Sequence, residues 1–160
     1  MAEIAERLTQ AGATAPVACS VSLPAVVPQA DVIIACTSSP DVLITPAMVK
    51  RDAIICDLSV PHNLPRSFVD ERPDVLLFDG GVMRVPGRPD LGWRFGLEKG
   101  QAFACMCETM LIGLEPERLK RCAGAVVSVE NIALLNESAR HHGFELEDFR
   151  CFGEVTRIDG

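Results

Sequence analysis

The sequence has no run of about 18 uncharged apolar residues, so no membrane-spanning helix is expected. It has little positive charge: 15 Lys and Arg stand against 22 Asp and Glu, a net charge of −7. General nucleic-acid affinity needs a basic footprint and is excluded on that ground. Its seven cysteines include no C-x-x-C pair of the zinc-binding kind, and no metal site is expected. The N-terminal "MAEIAERLTQ" is charged and amphipathic, unlike a secretory signal, so a cytoplasmic location is expected. Reduced, buried thiols acting as small hydrophobes are then the reading for Cys19, Cys36, Cys56, Cys122 and Cys151. There is no internal repeat and no low-complexity segment. The glycine-rich signature G-x-G-x-x-G is absent as well.

What is present is the composition of one globular domain: 160 residues, 48% hydrophobic and 23% charged. Ile4 and Leu8 lie four apart among charges, which predicts an amphipathic helix closed by Gly12. "PVACSV" (16–21) reads as a short strand. Three runs of one kind follow: "DVIIACT" (31–37), "DAIICDLS" (52–59) and "DVLLFDGG" (74–81). Each is continuously apolar rather than alternating, as strands buried on both faces of a parallel sheet are. Thr45 as N-cap and Pro46 at the first helical position predict a short helix between the first two. The result is an α/β fold built on βαβ units. "VMRVPGRPDLGWRFG" (82–96) reads as a loop or extended arm and 97–115 as a long helix. Pro116 starts a new turn or kinks that helix. A last helix runs from Ser128 as N-cap to Gly143. The tail after residue 143 is weakly patterned. The expected organisation is a partial Rossmann-like domain over 1–95, helices over 96–145, and a tail over 146–160.

Ligands of open parallel sheets sit at the carboxyl ends of the strands. Here those ends carry Thr37, Ser38 and Ser39, then Asp57 and Ser59, then Gly80 and Gly81. Hydroxyls, backbone N–H groups and glycines can line a slot for a sugar and a flat ring. The same residue types also end strands and cap helices, and both readings stand. Because the phosphate-binding G-x-G-x-x-G is missing, the chain is expected to lack the first βαβ unit of such a domain, either as a fragment or as a shortened gene product. That unit would also select NAD or NADP.

"ADVIIACTSSPDVLITPAMVKRDAIICDLSVP" resembles the NADP-binding domains of the shikimate dehydrogenase and glutamyl-tRNA reductase group. "FDGGVMRVPG", "GQAFACMCETMLIGLE" and "NESARHHGF" resemble, in the same order, segments of the long-chain acyl-acyl-carrier-protein reductases. The resemblance covers most of residues 30–145. It implies Cys105 as nucleophile, NADPH as cofactor, and an acyl-carrier protein or acyl-CoA as substrate. The implied reaction forms a thioester on Cys105 and reduces it to a fatty aldehyde. The chain departs from the family at Cys107, at Gly113 and over "VVSVENI". Two other readings stay open: a shikimate- or amino-acid-dehydrogenase-like oxidoreductase, which would not need Cys105, and a non-catalytic fragment.

Cys105 and Cys107 lie two apart, so a helix points them to nearly opposite sides. Cys107 is read as packing and Cys105 as the thiol that does chemistry; in a helix starting near Gly100, Cys105 lies just beyond the first turn, where the dipole modestly favours an anion, and a start at Leu97 shrinks that benefit. Glu108 shares the Cys105 face. His62, at a strand's carboxyl end, is the positional choice for a general acid. His141 and His142 cap a helix C-terminus. An acidic carrier would need a basic patch, for which Arg84, Arg88 and Arg94, or Arg118, Lys120 and Arg121, are the candidates.

Overall fold

The structure, a computed structural model, describes residues 6, 10, 12, 14–92, 96–124 and 128–156. The N-terminal helix read from Ile4 and Leu8 lies outside the described residues, as does Arg94. The fold is mixed α/β, as expected, with a three-stranded parallel sheet in the order β1-β2-β3. These strands are β1 (Val32–Ala35), β2 (Ile54–Asp57) and β3 (Leu76–Asp79), one in each of the three apolar runs. Contacts divide the chain into two compact units, residues 1–55 with 59–76, and residues 56–58 with 77–160.

In the first unit, Val27, Ala35, Ile44, Val49, Ala53, Ile55, Leu64, Phe68 and Val75 are buried, with Ile55 and Phe68 wholly so. Burial on both strand faces, however, does not hold throughout. Val32 is 58% and Ile34 64% exposed, because alternate residues of a strand point to opposite faces and only one face of β1 is covered here. The 16–21 segment is an exposed, irregular stretch and not a strand; β-branched residues make a strand only where a neighbouring strand accepts their hydrogen bonds. The helix expected after Thr45 is a single 3-10 turn, Pro46–Met48, because Val49 returns to extended backbone. Short helices α1 (Leu23–Val26) and α2 (Phe68–Glu71) complete this unit.

Arg72 fastens the same turn. Its guanidinium donates to the carbonyls of Pro46, at 2.7 Å, Val49 and Lys50, and forks onto Asp74 at 2.8 and 2.7 Å. A planar five-donor group satisfies carbonyls that a one-turn helix leaves over.

In the second unit, the expected loop or extended arm at 82–96 opens with a strand, β4 (Val82–Arg84). β4 pairs antiparallel with β5 (Gln101–Phe103), Met83 opposite Ala102, and on its other edge with β6 (Glu145–Leu146). The long helix read over 97–115 is therefore shorter. Residues 97 and 98 are irregular, 99 and 100 form a turn, residues 101–103 are β5, and α3 begins only at Ala104 and ends at Leu114. Gly100 blocks the longer helix, since its φ of +83° is left-handed. Pro116 does start a new helix, α4 (Pro116–Leu119). The final helix α5 (Val129–His142) has the expected ends: the Ser128 side chain accepts from Asn131 N–H, and Gly143 is left-handed. The tail forms a hairpin of β7 (Arg150–Cys151) and β8 (Glu154–Val155). Val85, Ala102, Cys107, Leu111, Leu119, Cys122 and Phe144 make the apolar core that unites α3, α4, α5 and the β4–β5 pair.

Candidate functional site

The strand-end residues of the first unit form a hydrogen-bonded knot centred on Asn63. Asn63 is fully buried. Its Oδ1 accepts from Thr37 Oγ1 at 2.7 Å and from Ser59 Oγ at 2.8 Å. Its Nδ2 donates to the carbonyls of Ser39 and Asp41, and its own carbonyl accepts from Leu43 and Ile44 N–H. Thr37 N–H donates to Ser59 Oγ at 3.2 Å. Thr37 Oγ1 also accepts from Ser39 N–H, and Ser39 Oγ from Asp41 N–H. These hydroxyls thus hold the 37–43 loop against the segment after β2, the turn-and-cap chemistry of Ser and Thr. Ser38 is exposed on that loop. His62 is half-buried beside Asn63 in sequence, just after the cis Val60–Pro61 bond. Thr37 and Ser59 are marked in the sequence by their place at strand ends, whereas the signal for Asn63 is an amide two residues after a proline.

In the second unit, Asp57 is buried, and its carbonyl accepts from Gly80 N–H at 2.8 Å. A Cβ on Gly80 would stand 2.5 Å from Leu58 Cδ2 and 2.7 Å from Cys56 Sγ, so glycine is set here by close chain packing. Gly81, with φ +77°, turns the chain, and its carbonyl accepts from Ala104 N–H at 2.6 Å. That bond fixes where α3 starts. The Cys56 thiol is pushed up first by burial and then by the nearby Asp57 and Asp79 carboxylates.

Cys105 is the second residue of the eleven-residue α3, within its first turn rather than beyond it. It is exposed, while Cys107 is 2% exposed in the apolar core. Burial, and secondarily the neighbouring Cys105, push the Cys107 thiol up to about 11. The opposite facing expected of residues two apart is present. The cysteines read as buried divide: Cys122 and Cys151 are buried, Cys56 is half-buried, and Cys19 and Cys36 are exposed because their segment and strand end lack a covering layer. Among the described residues no group of three or more His, Cys, Asp or Glu is placed to hold a metal ion. No described helix is long and apolar enough to cross a membrane.

Three of the basic residues expected to meet an acidic partner, Arg84, Arg118 and Lys120, are paired with acidic neighbours. Arg118 pairs with Glu115 and Glu137, Lys120 with Glu117, and Arg84 with Glu145 and Glu147. Arg88 and Arg121 are exposed. His142 does more than close a helix. Its Nε2 lies 3.0 Å from Glu115 Oε1, which also accepts from the wholly buried Ser138 at 2.6 Å. Glu115 thereby ties the end of α3 to α4 and α5, a link that sequence spacing of 27 residues could not reveal.

No family model matches the chain. The chain is similar to the aminotransferase PigE of Serratia sp. (strain ATCC 39006), with 29% identity over 135 residues. The match takes in 82% of this chain but 15% of the relative's length. That finding corrects the functional expectation. The similarity is to a protein named for amino-group transfer, and NADPH-dependent reduction of a fatty acyl thioester to an aldehyde is set aside.

Proposed function

We propose that this chain serves a transferase-type enzyme, and that its own contribution is to accept a transferable acyl-type group on Cys105. The similarity to part of an aminotransferase supports the enzyme class. The observation that carries the residue is the exposure of Cys105 on the first turn of α3, where the other thiol of the helix is sealed in the core. The Cys105 thiol gives its proton to water, and the thiolate attacks a carbonyl carbon, forming the new C–S bond as the donor's bond to its leaving group breaks. The electron pair departs with the leaving group, which takes up a proton from water, and no oxidation or reduction is involved. Ala104 N–H, bonded to Gly81, holds the start of the helix and so the position of the thiol. The parallel order β1-β2-β3 and the loops at its strand ends support reading the sheet as part of a Rossmann-like layer.

The test is intact-protein mass spectrometry after incubation with a short-chain acyl thioester. One acyl group is expected, mapped to the Cys105 peptide and absent from Cys105→Ser of unchanged circular dichroism. Acylation of Cys19 or Cys36 at the same rate as Cys105 would remove the proposal.

A further inference from the structure

The transfer of an amino group is ordinarily the work of pyridoxal phosphate, held by a lysine Schiff base with a carboxylate at the pyridinium nitrogen. When bound, the cofactor supplies the electron sink for that chemistry. A lysine serves this purpose when a pocket desolvates it or a second cation lies beside it. The chain contains three lysines, and all three are among the described residues.

None of the three has such a setting. Lys50 is ion-paired with Asp31 in the first unit, and the two side chains are 38% and 82% exposed. Lys120 meets Glu117 at 3.3 Å one turn away on the helix surface, at 71% and 91% exposure. Lys99 is exposed in the tight turn that Gln101 N–H closes onto the Glu98 carbonyl. Each of the two paired ammoniums faces a carboxylate in water, the reverse of a desolvated site. Among the described residues of the first unit, the half-buried Arg72 guanidinium is taken up by Asp74 and three carbonyl oxygens and cannot also cradle a phosphate. The residues present do not fit pyridoxal phosphate.

We infer that this chain does not hold the amino-transfer centre. In a polypeptide built like the matched aminotransferase, amino transfer takes place on residues outside the region similar to this chain. The 15% of the relative that the match covers leaves ample length for it.

The experiment adds excess pyridoxal phosphate to the full chain, folded and in urea, fixes imines with borohydride, and maps labelled lysines by mass spectrometry. Partial, non-saturating labelling of Lys50, Lys99 and Lys120, no greater in the folded protein than in urea, is expected. Saturable, stoichiometric labelling of one lysine in the folded chain, lost on unfolding and in its Lys→Ala variant, would overturn the inference. Cys105→Ser should leave the labelling pattern unchanged. Failure of the acyl-acceptor proposal is thereby distinguishable from failure of this one.

Discussion

Cys105 and Cys107 stand two residues apart on one helix, the first in solvent and the second 2% exposed within the core. Thiol reagents act on the accessible thiolate, so the two should react on different timescales. Alkylation by iodoacetamide at neutral pH is expected to mark Cys105 in the folded chain and to reach Cys107 only on unfolding. Because burial pushes the Cys107 thiol up to about 11, raising the pH to 9 should leave it protected. Cys107→Ser places a hydroxyl among Leu111, Leu119 and Phe144 and should cost about 1–3 kcal/mol in urea unfolding. Equal labelling of both thiols in the native state would contradict the placement of α3.

Asn63 has a buried amide bonded to Thr37, Ser39 and Asp41 in the loop after β1 and to Ser59 after β2. Asn63→Ala should cost about 2–3 kcal/mol, since two carbonyls lose their donor and two hydroxyls lose their acceptor. Thr37→Ala, at an exposed position, should cost about 1 kcal/mol. Asn63→Asp turns a donor into an oxygen facing the Ser39 and Asp41 carbonyls. Its folded carboxyl is then held protonated, so the variant should be less destabilised at pH 4 than at pH 7, read from urea midpoints. An Asn63→Asp chain equally stable at both values would argue against this knot.

The three parallel strands were legible because continuous apolar runs bounded by Asp, Ser and Gly carry a local signature. The last helix was legible for a similar reason, with Ser128 and Gly143 marking its ends within a few residues of chain. What escaped was set by partners distant in sequence. β4 and β5 exist because Met83 finds Ala102 and Leu146, so residues reading as an arm and as a helix become strands. Ile34 was read as buried from its own neighbours, yet the exposure of a strand face depends on what lies over it. At the strand ends, Thr37 and Ser59 were legible as polar, but their joint attachment to Asn63 spans 26 and 4 residues and is a fact of folding. Helical periodicity opposes Cys105 to Cys107, but the choice of Cys105 as the reactive thiol rests on the resemblance to the acyl-carrier-protein reductases.

Two carboxylates give the fold an acid limit. Asp74 is drawn from 3.8 to about 2, first by its hydrogen bond from Arg72. Glu115 is drawn from 4.5 to about 2, first by Ser138, then by Arg118 and His142. A carboxyl lowered in the folded state contributes stability that is present above its unfolded value and is lost as pH falls through the folded one. Unfolding midpoints in urea should therefore be level above pH 5 and drop between about 4.5 and 2. Asp74→Asn and Glu115→Gln should each lower stability at neutral pH and flatten that drop. A parent chain whose midpoint is unchanged between pH 5 and 2 would show that these pairs do not act in solution.

Three glycines should respond to alanine in three different ways. Gly113 lies in α3 with nothing within 4 Å of an added Cβ, so Gly113→Ala should stabilise by about 0.5–1 kcal/mol through helix propensity. In Gly80→Ala the nearest atoms to the new Cβ belong to the Leu58 and Cys56 side chains, and Leu58, 46% exposed, can turn away; a cost of about 1 kcal/mol is expected. Gly100→Ala has no such outlet. Its φ of +83° is left-handed and the new Cβ would lie 2.8 Å from the Arg88 backbone, so a loss of about 2–4 kcal/mol is expected. Gly100 also sets where β5 begins, and with it the start of α3 and the place of Cys105. Gly100→Ala should therefore slow Cys105 alkylation or acylation more than Gly80→Ala does, measured by peptide-resolved mass spectrometry. If Gly100→Ala proves as stable as Gly113→Ala, the turn at 99–100 is not the boundary that separates strand from helix.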